Sequence, residues 1–221
     1  MLPMFQYRPP ADNGIDVVYE DQHLLILNKP SGLLSVPGRG PENHDSLHVR
    51  VQKRYPDALI VHRLDMATSG LIVMAMNSQT HRDLSLLFQK RSINKFYTAV
   101  VMDKLHSDNG SIELPLIADW PNRPRQKVDY ETGKPSLTHY RLLNFDHLNN
   151  TSRIELNPVT GRTHQLRVHM SSIGHPILGD NLYANEDIIN MSPRLLLHSQ
   201  RIEFNHPVSE TFISITSTPP F

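Results

Sequence analysis

The stretch His62–Gly70, HRLDMATSG, runs into the apolar Leu71–Ala75, LIVMA, and decides how the rest of the chain reads. Taken as extended backbone, HRLD puts Arg63 and Asp65 on one face and His62 and Leu64 on the other, because side chains alternate along a strand. An opposite charge close by favours the charged form of a carboxylate, so an Arg-x-Asp pair is one way to present an oriented nucleophile. Thr68-Ser69-Gly70 offers turn chemistry, and the following Leu71–Met76 predicts a short strand covered on both faces. The same residue types also describe an ordinary surface ion pair beside a strand, so composition alone leaves both readings open.

Working outward, Val17–Tyr19 and Leu24–Asn28 read as a hairpin around Glu20-Asp21-Gln22. The Pro- and Gly-rich segments 29–32 and 36–41 read as loop. A helix is expected over Ser46–Tyr55, capped by Asp45 or Ser46 and stopped by Pro56. A second covers Ser78–Arg91, with Ser78 as N-cap and Leu84, Leu87, Phe88 and Arg91 in helical phase. Lys95–Met102 reads as a strand and 105–124 as loop with short extended pieces. Thr138–Phe145 and Ser152–Asn157 read as a strand pair, and Arg201–Phe204 and Phe212–Thr216 as the last strands. A helix over Thr163–Ile173 opens at Gly161-Arg162-Thr163 and closes near Gly174. Strands outnumber helices and are joined too closely for helical crossovers, which favours an α+β fold with a mixed, mostly antiparallel sheet.

The 221 residues suffice for one domain, or two lobes around a cleft. The absence of cysteine excludes disulfides, thiolate metal sites and cysteine nucleophiles. No leader pattern or membrane-length apolar run is read, so a soluble cytoplasmic protein is expected. Residues 1–14 read as a loose, Pro-rich arm before a domain spanning 15–221. The 22 basic and 22 acidic residues balance, yet Arg82, Lys90, Arg91 and Lys95 cluster in one region and Arg123, Arg125 and Lys127 in another, so one face can still be basic. Ordinary solvated faces are the competing explanation. Of thirteen histidines, His164 and His169 sit about 140° apart on a helix and lack a carboxylate at zinc-site spacing, so they read as structural. His62 reads likewise, and Gly32, Gly70, Gly161 and Gly174 read as turn or cap residues.

The string HRLD-x-x-TSG-x-x-x-x-A resembles the signature of the RluA family of pseudouridine synthases, with Asp65 in the place of the family's catalytic aspartate. Asn28–Leu34 resembles the family's first motif, Lys95–Ala99 its tyrosine strand, Gly161–Met170 its third motif, and His175–Asp180 follows in the expected place. The likeness runs from about Val17 to Pro207. Asp119–Pro124 and Tyr130–Pro135 resemble a short branch acting on both large-subunit ribosomal RNA and the anticodon stem-loop of transfer RNA.

The resemblance implies an α+β pseudouridine synthase fold with two lobes around the site, and here no S4-like accessory domain. It also implies that Arg167 pairs with and orients Asp65, that Tyr97 stacks on the base and takes part in proton removal, and that Arg63 enters the RNA stack when the target base leaves. Arg123, Arg125, Lys127 and Arg162 are the expected RNA contacts. No cofactor or metal is implied, and the partner is RNA, with no membrane, no obligate protein partner and a monomeric enzyme. The initiating step stays open between attack at the anomeric carbon, glycal formation and attack at C6 of the base. Two rivals remain: a nucleoside hydrolase releasing free uracil, and a non-catalytic RNA-binding module or RNA chaperone of the same fold.

Overall fold

In the computed structural model, which describes residues 6–221, the expected first hairpin is β1 (Val17–Glu20) and β2 (Leu24–Lys29). Then come helix α1 (Leu47–Gln52), β3 (Leu59–Ile60), β4 (Ser69–Ala75), helix α2 (Ser78–Gln89) and β5 (Asn94–Met102). They are followed by β6 (Asn109–Glu113), β7 (Leu116–Ala118), β8 (Gln126–Val128), β9 (Leu137–Asp146) and β10 (Thr151–Pro158). Helices α3 (Gln165–Ser172) and α4 (Glu186–Asn190) precede β11 (Leu197–Asn205) and β12 (Phe212–Thr216).

The main sheet runs β1-β2-β4-β11-β5-β10-β9-β6, with β12 added to β11 and β3 to β4, while β7 and β8 form a separate hairpin. Only β4 and β11 pair in parallel among the described residues, so the sheet is mixed and mostly antiparallel, as the short connections required. Every residue of β4 is buried. Ile72 and Met74 join Leu25 and Leu27 in one core cluster, whereas Leu71, Val73 and Ala75 join Leu24 and Ile26 in the other. Alternate residues therefore feed cores on opposite faces of the sheet.

Several boundaries differ from the sequence expectation. Thr68-Ser69-Gly70 is not the turn: Met66-Ala67 turns the chain, and β4 already begins at Ser69. Gly70 has φ +110°, and a Cβ there would run into the Ser199 backbone of β11. The glycine thus serves a close strand approach rather than a turn. Helix α2 is capped by Asn77, whose side chain accepts from Thr80 N at 2.9 Å, not by Ser78. Helix α1 is shorter than expected, with Ser46 as its cap, and α4 and the first four residues of β11 lie outside the elements that the pattern predicts. Residues 1–5 of the expected arm lie outside the described residues. The remainder is tied down, since Tyr7 is buried with its hydroxyl on Asp45 O, and Arg50 donates to the carbonyls of Pro10 and Ala11.

Candidate active site

Segments distant in sequence meet because their strands are neighbours. The loop 61–68 enters β4, Tyr97 lies on β5 across β11, and α3 follows β10, the other neighbour of β5. Between them opens a cleft of about 510 Å³ whose lining includes Arg63, Asp65, Lys95, Tyr97, Arg162, His164 and Arg167.

Asp65 is partly open to this cleft, with 25% of its side chain exposed. The guanidinium that meets it comes from Arg167, whose Nη1 lies 3.4 Å from Asp65 Oδ2. Arg63, two residues away, makes no ion pair among the described residues and stands exposed at the mouth. The expected Arg63–Asp65 pairing on an extended HRLD is therefore corrected: residues 61–65 form no strand, and the charge partner is 102 residues further on.

Arg167 is itself buried and held by Asp180, with Nε to Oδ2 at 2.8 Å and Nη2 to Oδ1 at 2.7 Å. Burial alone would lower the Arg167 pKa, but the hydrogen bonds and charge of Asp180, with a contribution from Asp65, outweigh it and raise it. Backbone N–H groups of Leu182 and Tyr183 also reach Asp180 Oδ1, at 3.0 and 3.3 Å. Asp180 stands in the His175–Asp180 segment, from which the sequence reading drew no role. An acidic residue closing an apolar Ile-Leu-Gly run was the available signal.

His164, read as structural, lines the cleft with its Nε2 4.0 Å from Asp65 Oδ1. His169 is buried against Ser136, its Nε2 2.8 Å from that hydroxyl, and fits the structural reading. His62 was expected to face away from the site, yet its ring forms part of the cleft wall, 4.6 Å from Phe88. Its Nε2 accepts from Val73 N at 2.9 Å, and burial, with a smaller push from Lys95, lowers its pKa to about 3, so it is a neutral strut.

Tyr97 is buried, and desolvation first, then the Asp65 charge, raise its hydroxyl to about 12 against an opposing contribution from Ser199. Sequence reasoning gave Lys29 no role. It is fully buried, its Nζ donating to the carbonyls of Pro30, Leu33 and Met66 at 2.8, 2.8 and 3.1 Å. Burial pushes it down to about 7 while Asp65 pulls the other way. Three carbonyls match the three donors of its ammonium form, and through Met66 O that form pins the turn that follows Asp65.

Arg162 is exposed at the cleft, its Nε 3.3 Å from Pro135 O. Arg123, Arg125 and Lys127 are not brought into the cleft. They are exposed along the β7–β8 hairpin, where Arg123 stacks over Trp120 and Lys127 lies 3.4 Å from Asp129. Among the described residues no group of three or more His, Cys, Asp or Glu converges to hold a metal, and no helix is long and apolar enough to cross a membrane.

Residues 23–172 match the family described as RNA pseudouridylate synthase. The chain is 47% identical over 220 residues to the dual-specificity RNA pseudouridine synthase RluA of Pasteurella multocida (strain Pm70), covering 100% of both chains. It is 50% identical over 206 residues to the protein of that name from Escherichia coli (strain K12), covering 93% of this chain and 94% of the relative. Among solved structures it is similar to human RNA pseudouridylate synthase domain containing 1, with TM-score 0.81 and 26% identity over 97% of this chain and 87% of that one. Human RNA pseudouridylate synthase domain containing 4 shares the fold, with TM-score 0.74 and 21% identity over 93% and 88% of the two chains.

Proposed function

The chain belongs to the RluA-type RNA pseudouridine synthases, and on that premise we propose that Asp65 initiates conversion of an extruded uridine in the cleft between β4, β5 and α3. The reaction breaks N1–C1′, turns the base, forms C5–C1′, releases the C5 proton and leaves N1 protonated. No atom is gained or lost overall, so a carboxylate in a sheltered cleft can initiate it without a redox partner. The observation that carries this reading is the placement of one partly open carboxylate, Asp65, opposite the buried Tyr97 and beside the guanidinium of Arg167.

Each remaining group has a role in this scheme. Arg167, immobilised by Asp180, orients Asp65. Tyr97, protonated at neutral pH in the free protein because burial and Asp65 raise its hydroxyl to about 12, is a flat wall for the uracil ring. The target must leave its stack for C5 and C1′ to be reached, and Arg63, free at the mouth, is placed to fill the gap and stack on neighbouring bases.

For the substrate, we propose stem-loops of large-subunit ribosomal RNA and of the transfer RNA anticodon arm, modified in the cytoplasm by a monomer without a protein partner. The dual-specificity names of the relatives and the exposed basic hairpin with Arg123, Arg125 and Lys127 support this, and Arg162 adds a phosphate contact at the cleft.

The test is incubation of the purified protein with such hairpins carrying tritium at uridine C5. Release of tritium with the base still attached to the chain is expected. Free uracil would mean a hydrolase, and RNA binding without release would mean the non-catalytic alternative.

A further inference from the structure

The left-handed residue that opens α3 is a histidine. His164 has φ 53° and ψ 18° at the N-cap, yet its side chain makes no capping hydrogen bond. Glycine or asparagine fits this backbone more easily, and strain held at one residue beside a cleft points towards a use for its side chain. That side chain runs inward between two partners. Its Nδ1 lies 2.7 Å from the Tyr183 hydroxyl, and its Nε2 faces Asp65 Oδ1 at 4.0 Å.

The hydrogen-bond inventory favours one tautomer. The Tyr183 hydroxyl accepts from Gln126 N at 2.8 Å, which leaves its single proton free to be donated to His164 Nδ1. An imidazole that accepts at Nδ1 carries its hydrogen on Nε2, the atom turned towards Asp65. Burial lowers the His164 pKa despite the attraction of Asp65, and burial raises Tyr183 to about 12, so both are neutral at pH 7.

We propose that His164 is a positioning residue for Asp65, its Nε2–H set by Tyr183 and drawn onto Oδ1 when RNA closes the site, so that Arg167 and His164 each hold one oxygen of the carboxylate. This rests on the assignment of Asp65 as the initiating group. A separation of 4.0 Å is too long for a hydrogen bond in the free enzyme, and such contacts shorten in the reacting complex. Tyr183 is also the point where the β7–β8 hairpin meets the site, since Gln126 opens β8.

The test uses the full chain with a stem-loop RNA. His164→Gly deletes the imidazole and relaxes the backbone, and His164→Gln restores an N–H of similar reach. In His164→Gly we expect a melting temperature equal to or above wild type, an RNA Kd within about twofold, and a single-turnover rate at saturating RNA reduced at least about tenfold, since misplacing a reacting group by about 1 Å can cost about 100-fold. His164→Gln is expected to recover most of that rate, and nitrogen-15 spectra of the wild type to show the hydrogen of His164 on Nε2.

A His164→Gly variant at wild-type rate, a loss confined to Kd or melting temperature, no recovery in His164→Gln, or an Nδ1–H tautomer would each overturn the proposal. A wild-type protein that converts no uridine would instead overturn the functional reading on which it rests.

Discussion

Arg167 commits Nε and Nη2 to Asp180, at 2.8 and 2.7 Å, and leaves only Nη1 for Asp65 at 3.4 Å. The two-pronged contact fixes the guanidinium plane before any substrate arrives. Asp65 thereby faces a guanidinium that cannot follow it if it moves, and in the proposed scheme Asp180 holds the arginine that orients Asp65.

Arg167→Lys should therefore fail although the charge is kept. An ammonium cannot span both oxygens of Asp180 and still face Asp65, so unfolding stability should fall, by less than the about 3 kcal/mol that follows removal of one partner of a buried pair, since the charge remains. The single-turnover rate should fall about 100-fold. Asp180→Asn should reproduce much of both effects, and a double-mutant cycle should give a coupling of about 0.5–3 kcal/mol. Additive effects in denaturant melts, or a near-normal rate in Arg167→Lys, would rule out the fork as the device that orients Asp65.

Several residues of the candidate site were legible as local strings once their family resemblance was weighed. HRLD singled out Asp65 as a candidate, although the charge partner it suggested, Arg63, gives way to Arg167, and the apolar run LIVMA predicted a strand buried on both faces, as β4 is. What could not be read were relationships created by the parallel pairing of β4 with β11, where Gly70 lies against Ser199. Leu197–Gln200 gave little local signal as a strand, so nothing showed that Gly70 would meet a backbone. Asp180 and Lys29 escaped for a similar reason. Each is a charged residue in a loop-like segment whose burial is decided by tertiary packing, and the partners of Lys29 are carbonyls that leave no mark on the sequence.

Acid should destabilise the fold through two buried histidines, His169 and His198, and the half-buried His62. Burial first of all lowers His62 to about 3, and His169 and His198 to about 4 each, from the ordinary 6.5. Above about 6.5 they are neutral in both folded and unfolded chains, and their contribution is complete. As pH falls from there towards about 4, the unfolded chain binds protons that the folded one resists, so stability is lost. Denaturant midpoints at fixed ionic strength should drop between about pH 7 and pH 5, and a flat profile over that interval would contradict the assignment.

The basic hairpin should act on affinity. Replacing Arg123, Arg125 and Lys127 together by alanine should weaken binding of a stem-loop RNA. The dependence of log K on log salt should flatten by about 0.7 for each phosphate charge that is no longer neutralised on single-stranded RNA. The rate at saturating RNA should change less than the affinity. Titrations at several salt concentrations check this, and an unchanged slope would show that the hairpin does not meet the RNA backbone.

The central claim is that Asp65 starts the chemistry, and Asp65→Asn tests it most directly. The amide keeps the size of the side chain but not its anionic nucleophilicity. Under single-turnover conditions with C5-tritiated stem-loop RNA, the variant should bind with wild-type affinity, melt near the wild-type temperature and release no tritium above background. Appreciable pseudouridine from the purified variant would contradict the account.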